Sequence, residues 1–259
     1  MTDNSRRQRL ASMLALVFTL AVGTAQRGMA QAAADHWQFT VSPYLLAPHM
    51  NGKVGVGPIP PVTVDVGPSE IFSHLQFGAM VFVQARKGPW AIGLDGLYMN
   101  LSEDLAKDAS RASGTVVMKQ AGFQLLVLRE VTRGVELGVS GRLNVISSSI
   151  DARVAVADTL QRGASGTKVW FDPLLAARLT VPGTGKWHLA LEADVGGFGV
   201  GSSFAWQVVP IVGYRFSQLF ELAGSYRAMG MDYSTGEGKT AFSYDMRIFG
   251  PLVGFAFHF

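Results

Sequence analysis

The sequence contains no cysteine among its 259 residues. Disulfide bonds, thiolate metal sites and cysteine nucleophiles are therefore excluded. A chain without thiols suits an oxidising compartment such as the bacterial periplasm, where an unpaired thiol would react.

The sequence also lacks an apolar run long enough to cross a bilayer as a helix. The apolar stretch at residues 10–23 is too short for that, and arginines precede it at positions 6, 7 and 9. This order is typical of a secretory signal peptide, with small residues allowing cleavage after Ala30 or after Ala32. We therefore predict a cleaved signal at residues 1–30 and a single mature domain at residues 31–259.

Without the predicted signal peptide, the chain has no excess of positive or negative charge. Residues 1–30 hold four of the 22 basic residues and one of the 19 acidic ones, so the remainder is formally neutral. The high isoelectric point thus comes from the targeting segment, and the mature chain offers no electrostatic basis for binding nucleic acid.

What the sequence does contain is apolar residues at every second position. Hydrophobic residues make up 48% of the chain and glycine contributes 30 residues, a composition that interrupts helices. Between Trp37 and Leu45 apolar and polar residues alternate, and the same alternation is clearest between Val135 and Val145. Such a period of two indicates strands with one lipid face and one polar face.

Applied to the whole chain, the alternation predicts an all-β fold, a transmembrane antiparallel up-and-down β-barrel. Short turns alternate with longer loops, which fits a barrel whose two chain ends both lie in the periplasm. Eight or twelve strands stay possible, because residues 53–57 and 62–66 could pair as a hairpin and residues 150–157 are also strand-like; we interpret these segments as extracellular extensions. The ten predicted strands are residues 37–46, 75–86, 90–101, 115–129, 135–147, 168–181, 187–199, 204–216, 219–233 and 242–259.

Aromatic residues mark the two rims of the predicted barrel. The chain ends on alternating aromatics, Phe255, Phe257 and Phe259, which we interpret as the barrel-assembly signal on the closing strand. Tryptophans and a phenylalanine at the starts of strands predict the periplasmic aromatic belt. We assign Tyr226, Tyr233 and Tyr244 to the belt at the other rim rather than to a sugar-stacking surface.

Charged residues gather on the inward face of these strands. Arginines and carboxylates are nearly balanced there, and lone buried charges are costly, so we expect them to pair across the lumen and plug it. The alternative is a narrow passive pore whose selectivity these residues set. The predicted polar network of the lumen comprises Arg86, Asp95, Glu136, Arg142, Asp172, Arg178, His188, Glu192, Asp194, Arg215, Glu221 and Arg227.

The sequence singles out no catalytic residue, no metal site and no cofactor. His188, Glu192 and Asp194 share one strand face, but positions four apart on a strand lie about 13 Å apart, too far to share one ion. Gly238-Lys239-Thr240 ends like a phosphate-binding loop, but no helix pattern follows it. A membrane-embedded hydrolase, a protease or a lipid-modifying enzyme, would need rim residues to converge, and the candidates are His49, His74, Asp65, Glu70, Asp232 and Asp245.

Several short motifs are distributed along most of the mature chain. They are Trp37 with Ser42-Pro43-Tyr44, Asn51-Gly52, Lys87-Gly88-Pro89-Trp90, Gly224-Ser225-Tyr226-Arg227, Tyr244-Asp245, Gly250-Pro251 and the terminal phenylalanine. With these motifs the chain resembles the uncharacterised outer-membrane β-barrel proteins of proteobacteria.

The resemblance implies a location and an architecture, and it brings no catalytic residues with it. It implies export to the cell outer membrane, contact with lipopolysaccharide and phospholipid, and handling by periplasmic chaperones and the barrel-assembly machinery. We therefore expect a structural or surface-interaction protein that acts through its extracellular loops on a ligand that the sequence does not name.

Overall fold

A computed structural model of the protein describes residues 36–58, 60–105, 112–156, 158–182 and 185–259. The predicted signal peptide lies outside the described residues. None of the helices in these ranges is long and apolar enough to span a membrane. The strands are β1 (Gln38–Leu46), β2 (His49–Val56), β3 (Val62–Val66), β4 (Leu75–Lys87), β5 (Trp90–Leu105), β6 (Ala112–Thr132), β7 (Val135–Val156), β8 (Asp158–Pro182), β9 (Trp187–Gly197), β10 (Phe204–Arg215), β11 (Phe220–Thr235) and β12 (Phe242–His258).

Ten of these strands close into a barrel. Strands β4 to β12 pair with one another in chain order. β1 pairs with both β4 and β12 and so closes the sheet on itself. Every pairing is antiparallel, with long unbroken registers such as Thr235↔Phe242 to Phe220↔Phe257. The prediction of a ten-stranded antiparallel barrel is confirmed, because alternation and turn chemistry agree along the chain.

β2 and β3 extend this wall on one side. β1 and β2 run along β12 in one register, from Thr40↔His258 to Val56↔Phe242, and are interrupted only at Ala47 and Pro48. β3 folds back onto β2. The hairpin considered in the sequence is therefore formed, as an addition to the ten strands.

A short helix, α1 (Pro68–His74), joins β3 to β4 and was not predicted from the sequence. Its start carries ordinary signals, a proline in the first turn and the acidic Glu70. A helix of seven residues is too short for the apolar periodicity that identifies longer ones. Ile71 is buried and anchors α1 to the barrel.

The barrel wall is much taller on one side than on the other. β7 has 22 residues and β8 has 25, whereas β9 has 11 and β10 has 12. About ten residues suffice to cross a bilayer. The longer loops predicted at residues 102–114 and 148–167 are thus corrected: most of each belongs to strands that continue pairing, from Ser149↔Ser165 up to Val156↔Asp158 in the second case.

The barrel has two different ends. The start of β1, the end of β12 and the tight turns lie at one, the short-turn end, where Gly88 and Gly134 adopt positive φ angles of 54° and 76°. Trp37, Trp90 and Trp187 stand there with about half of their surface exposed, at 50%, 50% and 53%. The opposite end, the loop end, carries α1 and the extended hairpins.

The outer surface is apolar and the tyrosines divide between the two faces. Outward residues such as Leu125 and Val139 remain 52% and 55% exposed, which suits contact with lipid. The assignment of Tyr233 and Tyr244 to an outer aromatic belt is wrong. Both point into the barrel, where Trp170 stacks on Tyr233 at 4.4 Å and lies 5.7 Å from Tyr244.

Two glycines provide a matched test of packing in the wall. A Cβ at Gly138 would lie 1.9 Å from the carbonyl oxygen of Val127, whereas a Cβ at Gly122 would meet nothing within 4 Å. We expect Gly138→Ala to lower the free energy of unfolding by about 1–3 kcal/mol. Gly122→Ala should leave it unchanged or raise it by up to about 1 kcal/mol.

Urea unfolding of the refolded barrel, followed by tryptophan fluorescence, measures both variants. Equal midpoints would show that β6 and β7 do not approach as closely as the structure has them.

Candidate functional site

The candidate site is the lumen, which receives every second side chain of the barrel strands. Three spaces follow one another along it: a chamber of about 270 Å³ at the short-turn end, a gap of about 50 Å³ in the middle and a cavity of about 260 Å³ at the loop end. Polar networks fill the region between the chamber and the cavity.

The first network is centred on Arg142 of β7. Its guanidinium donates to Asp194 of β9 at 2.9 Å and to the side-chain oxygen of Gln124 at 3.0 Å. Asp194 also accepts from Gln124 at 2.8 Å and from Gln207 of β10 at 3.2 Å. Arg142 and Asp194 are both buried, so four strands are tied together by a pair that water does not screen.

The second network crosses the lumen beside the first. Arg227 of β11 donates to Asp95 of β5 at 2.7 Å and to the hydroxyl of Tyr44 of β1 at 3.1 Å. Tyr44 in turn donates to the other oxygen of Asp95 at 2.7 Å. This triangle joins strands that are not neighbours in the sheet, so it spans the interior rather than lining it.

A third network lies toward the short-turn end. Arg178 of β8 pairs with Glu192 at 2.8 Å and with Glu136 at 3.3 Å, and it donates across the lumen to Gln84 of β4 at 2.6 Å. Arg86, also on β4, approaches Glu136 at 2.6 Å from the same side. Two arginines and two carboxylates thus neutralise one another between opposite walls.

Glu221 occupies the floor of the chamber at the short-turn end. Its carboxylate is nearly buried and lies 3.3 Å from the Nε2 atoms of His188 and His258, and 3.4 Å from Arg215. Half of the Arg215 side chain is exposed, so this pair is partly screened by solvent.

The prediction that arginines neutralise the inward carboxylates does not hold for Asp172. Among the described residues its side chain accepts from uncharged donors: the backbone N–H of Ser202 at 2.6 Å, the Ser202 hydroxyl at 3.1 Å, Asn144 at 3.0 Å and Trp170 at 3.1 Å. Arg142 faces Asp172 in the β7–β8 register but reaches Asp194 instead. Asp172 therefore holds the β9–β10 turn against the barrel.

The structure places the whole predicted lumen set inside the barrel, at different heights and with different partners. His188, Glu192 and Asp194 do not form one cluster: they contact Glu221, Arg178 and Arg142 respectively. The sequence analysis did not identify Gln84 and Gln207 as members of these networks. Their amides carry no charge, and only their positions on the inward face of their strands pointed to the lumen.

Two rim residues that the sequence analysis left apart are in contact. His49 of β2 lies 2.7 Å from Asp65 of β3 and stacks on Phe249 at 4.9 Å, on the outer face of the wall. Within the described ranges no group of three or more potential metal ligands converges. A histidine–aspartate pair by itself defines no reaction, and the prediction of a non-enzymatic protein remains a prediction.

Comparisons with known proteins give a likeness of fold alone. No protein-family model and no curated protein sequence matches the chain. Among solved structures, the outer-membrane protease OmpT of Escherichia coli has a TM-score of 0.43 at 9% identity, covering 89% of this chain and 99% of that one.

Two further solved structures show a lower similarity. The attachment invasion locus protein Ail of Yersinia pestis has a TM-score of 0.32 at 8% identity, covering 86% of this chain and 98% of its own. The toluene transporter TodX of Pseudomonas putida has a TM-score of 0.32 at 10% identity, with coverages of 91% and 92%. We take nothing about activity from these likenesses.

Removing one arginine at the centre of the lumen should cost far more stability than removing one at the rim. Arg142→Met leaves Asp194 buried without a cation, and we expect it to lower the free energy of unfolding by about 3–5 kcal/mol. Arg215→Met removes a half-exposed partner of Glu221 and should cost about 0–1 kcal/mol.

Urea titration of both refolded variants measures the difference. Equal losses would contradict the assignment of Arg142 to a buried pair.

Proposed function

We propose that this protein is a closed, non-conducting outer-membrane barrel that supports an extended sheet at the cell surface for interaction with other molecules. The observation that carries the first part is the set of ion pairs and hydrogen bonds of arginine that cross the lumen between strands that are not neighbours. Arg227 with Asp95 and Arg178 with Gln84 each join opposite walls.

These crossings narrow the lumen between the chamber and the cavity in the described part of the chain. The gap between the two larger spaces is about 50 Å³, room for a few water molecules at most. Its lining includes Arg142, Arg227 and Gln124, whose hydrogen bonds would have to break for a solute to pass. Parting a buried ion pair leaves two charges uncompensated in the interior, which disfavours the narrow-pore alternative.

The surface role is supported by the height of the wall at β6, β7 and β8. At about 3.3 Å per residue, the 22 residues of β7 are roughly 70 Å long, and at a tilt of about 40° they rise roughly 55 Å, well beyond the hydrocarbon core of a bilayer. β9 pairs with β8 only over residues 174–182. In the described part of the chain, most of the upper half of β8 thus pairs with β7 on one side and with no strand on the other, and such an edge can accept a strand from a partner.

The orientation follows from the two ends. We assign the short-turn end to the periplasm and the loop end to the outside, and the tight turns, the start of β1 and the end of β12 at the short-turn end support this. Under this assignment Trp37, Trp90 and Trp187 lie at the periplasmic interface, and Phe255, Phe257 and Phe259 keep their predicted role in assembly. Lipopolysaccharide and phospholipid are then the partners of the outward face.

A conductance measurement tests closure. In a planar bilayer the wild-type barrel should show no steady current steps. A charge-balanced variant, Arg142→Ala and Asp194→Ala with Arg227→Ala and Asp95→Ala, removes two central pairs without leaving a lone charge, and we expect steady steps from it. Steady steps from the wild type, of the same size as those of the variant, would support the pore instead.

Shortening the β7–β8 hairpin tests the surface role. Joining Ser149 to Ser165 through an Asn-Gly turn respects their register and should leave the barrel intact. We expect cells that produce the shortened barrel to lose retention on polystyrene and to stop aggregating, relative to cells with the full barrel.

Gel mobility of unheated samples checks that both barrels fold in equal amount. The absence of native cysteine offers a further control, because Thr167→Cys should react on intact cells with an impermeant maleimide while Ser217→Cys should not. Unchanged attachment by a folded, shortened barrel would exclude this hairpin from the role.

A further inference from the structure

We propose that the cavity at the loop end binds a small, uncharged, mainly apolar molecule that carries one hydrogen-bonding group. This site is separate from the charged networks of the lumen, and it does not depend on whether the barrel conducts.

The walls of the cavity are apolar on opposite sides. Met50 of β2 and Met246 of β12 form one side, and Met118 of β6 and Ile146 of β7 form the other. Three of these four residues are methionines, whose flexible side chains adapt to occupants of different shape. These four side chains favour contact with hydrocarbon over contact with an ion.

The roof comes from the additional hairpin and the helix. Val64 of β3 and Ile71 of α1 both line the cavity, and Ile71 is only 2% exposed. β3 pairs with β2, and α1 bridges from β3 to β4 over this end of the lumen. The hairpin and helix therefore add walls to the cavity at the mouth of the barrel.

The volume sets the size of the occupant. An apolar cavity of about 150 Å³ is known to hold benzene, and drug-sized pockets begin at about 300 Å³. The cavity here, at about 260 Å³, fits a molecule of one or two rings or an aliphatic chain of similar bulk.

One polar position lies inside this apolar lining. Tyr244 is 4% exposed, and its hydroxyl faces Gln120 without a hydrogen bond of ordinary geometry in the described part of the chain. A buried hydroxyl without a partner is costly, so a ligand that supplies one hydrogen-bonding group stabilises this side chain. Glu70 and Glu103 also border the cavity, but both are exposed to solvent.

Methionine-methyl NMR with 1-naphthol as the probe tests the proposal. The chain without residues 1–30 is labelled at its methionine methyl groups and studied in lipid nanodiscs. We expect saturable shifts at Met50, Met118 and Met246, and none at Met80, which contacts Leu46 below the cavity. Saturation distinguishes a site from partition into lipid.

Two pairs of measurements sharpen the result. Val64→Phe fills the cavity and should weaken binding at least tenfold, whereas Val62→Phe, on the same strand but 62% exposed and outside the lining, should not. Tyr244→Phe removes only the hydroxyl. It should weaken binding of 1-naphthol about 3- to 10-fold and leave binding of naphthalene unchanged.

Three outcomes would overturn the proposal. They are no saturable shift at the three cavity methionines, equal shifts at Met80, and equal affinity of Val64→Phe and the wild type. If Tyr244→Phe bound both probes as the wild type does, the cavity would bind hydrocarbon without using the hydroxyl, and the claim of a hydrogen-bonding ligand would be wrong.

Discussion

The structure depends on one constraint: a barrel of ten strands encloses a lumen only a few side chains wide, and that lumen must be filled without leaving a charge alone. Arginine meets the requirement because it is long, planar and able to bond two oxygens at once. Arg142, Arg178 and Arg227 each reach a carboxylate or an amide beyond the adjacent strand. Closure of the wall and filling of the interior are thus achieved by the same inward residues.

The chemistry of the lumen changes along its axis because each strand changes composition along its inward face. On β12 the inward residues run from His258 and Ala256 at the short-turn end to Met246, Tyr244 and Phe242 at the loop end. The result is a polar chamber, a charged barrier and an apolar cavity in series. A barrier of this kind separates what each end can bind.

The fold could be predicted from the sequence because a membrane barrel imposes its period on every strand. Strand number, facing and the tight turns are all local consequences of alternation. The features that the sequence did not predict depend on which side chains meet in three dimensions. Asp172 is satisfied by Ser202 and Trp170 rather than by the arginine opposite it in the register, and no local pattern encodes that choice.

The two-residue period of a strand, applied strictly to β12, would have corrected the assignment of Tyr244 to the outer belt. Tyr244 shares its face with Met246 and Ile248, so its inward direction follows from the same rule that places the lumen charges. Aromatic residues near a rim are not always part of the lipid belt. The helix α1 and the height of β7 and β8, by contrast, depend on tertiary contacts. The alternation of apolar and polar residues does not determine where those contacts end.

The most direct test of the central claim is a double-mutant cycle between Arg227 and Asp95, which lie 2.7 Å apart across the lumen. Urea unfolding of Arg227→Met, Asp95→Asn and the double variant yields their coupling free energy. A pair formed inside a closed barrel predicts a coupling on the order of 2 kcal/mol. Losses that add to within about 0.5 kcal/mol would show that the two side chains do not meet, and that the lumen is open where we describe it as closed.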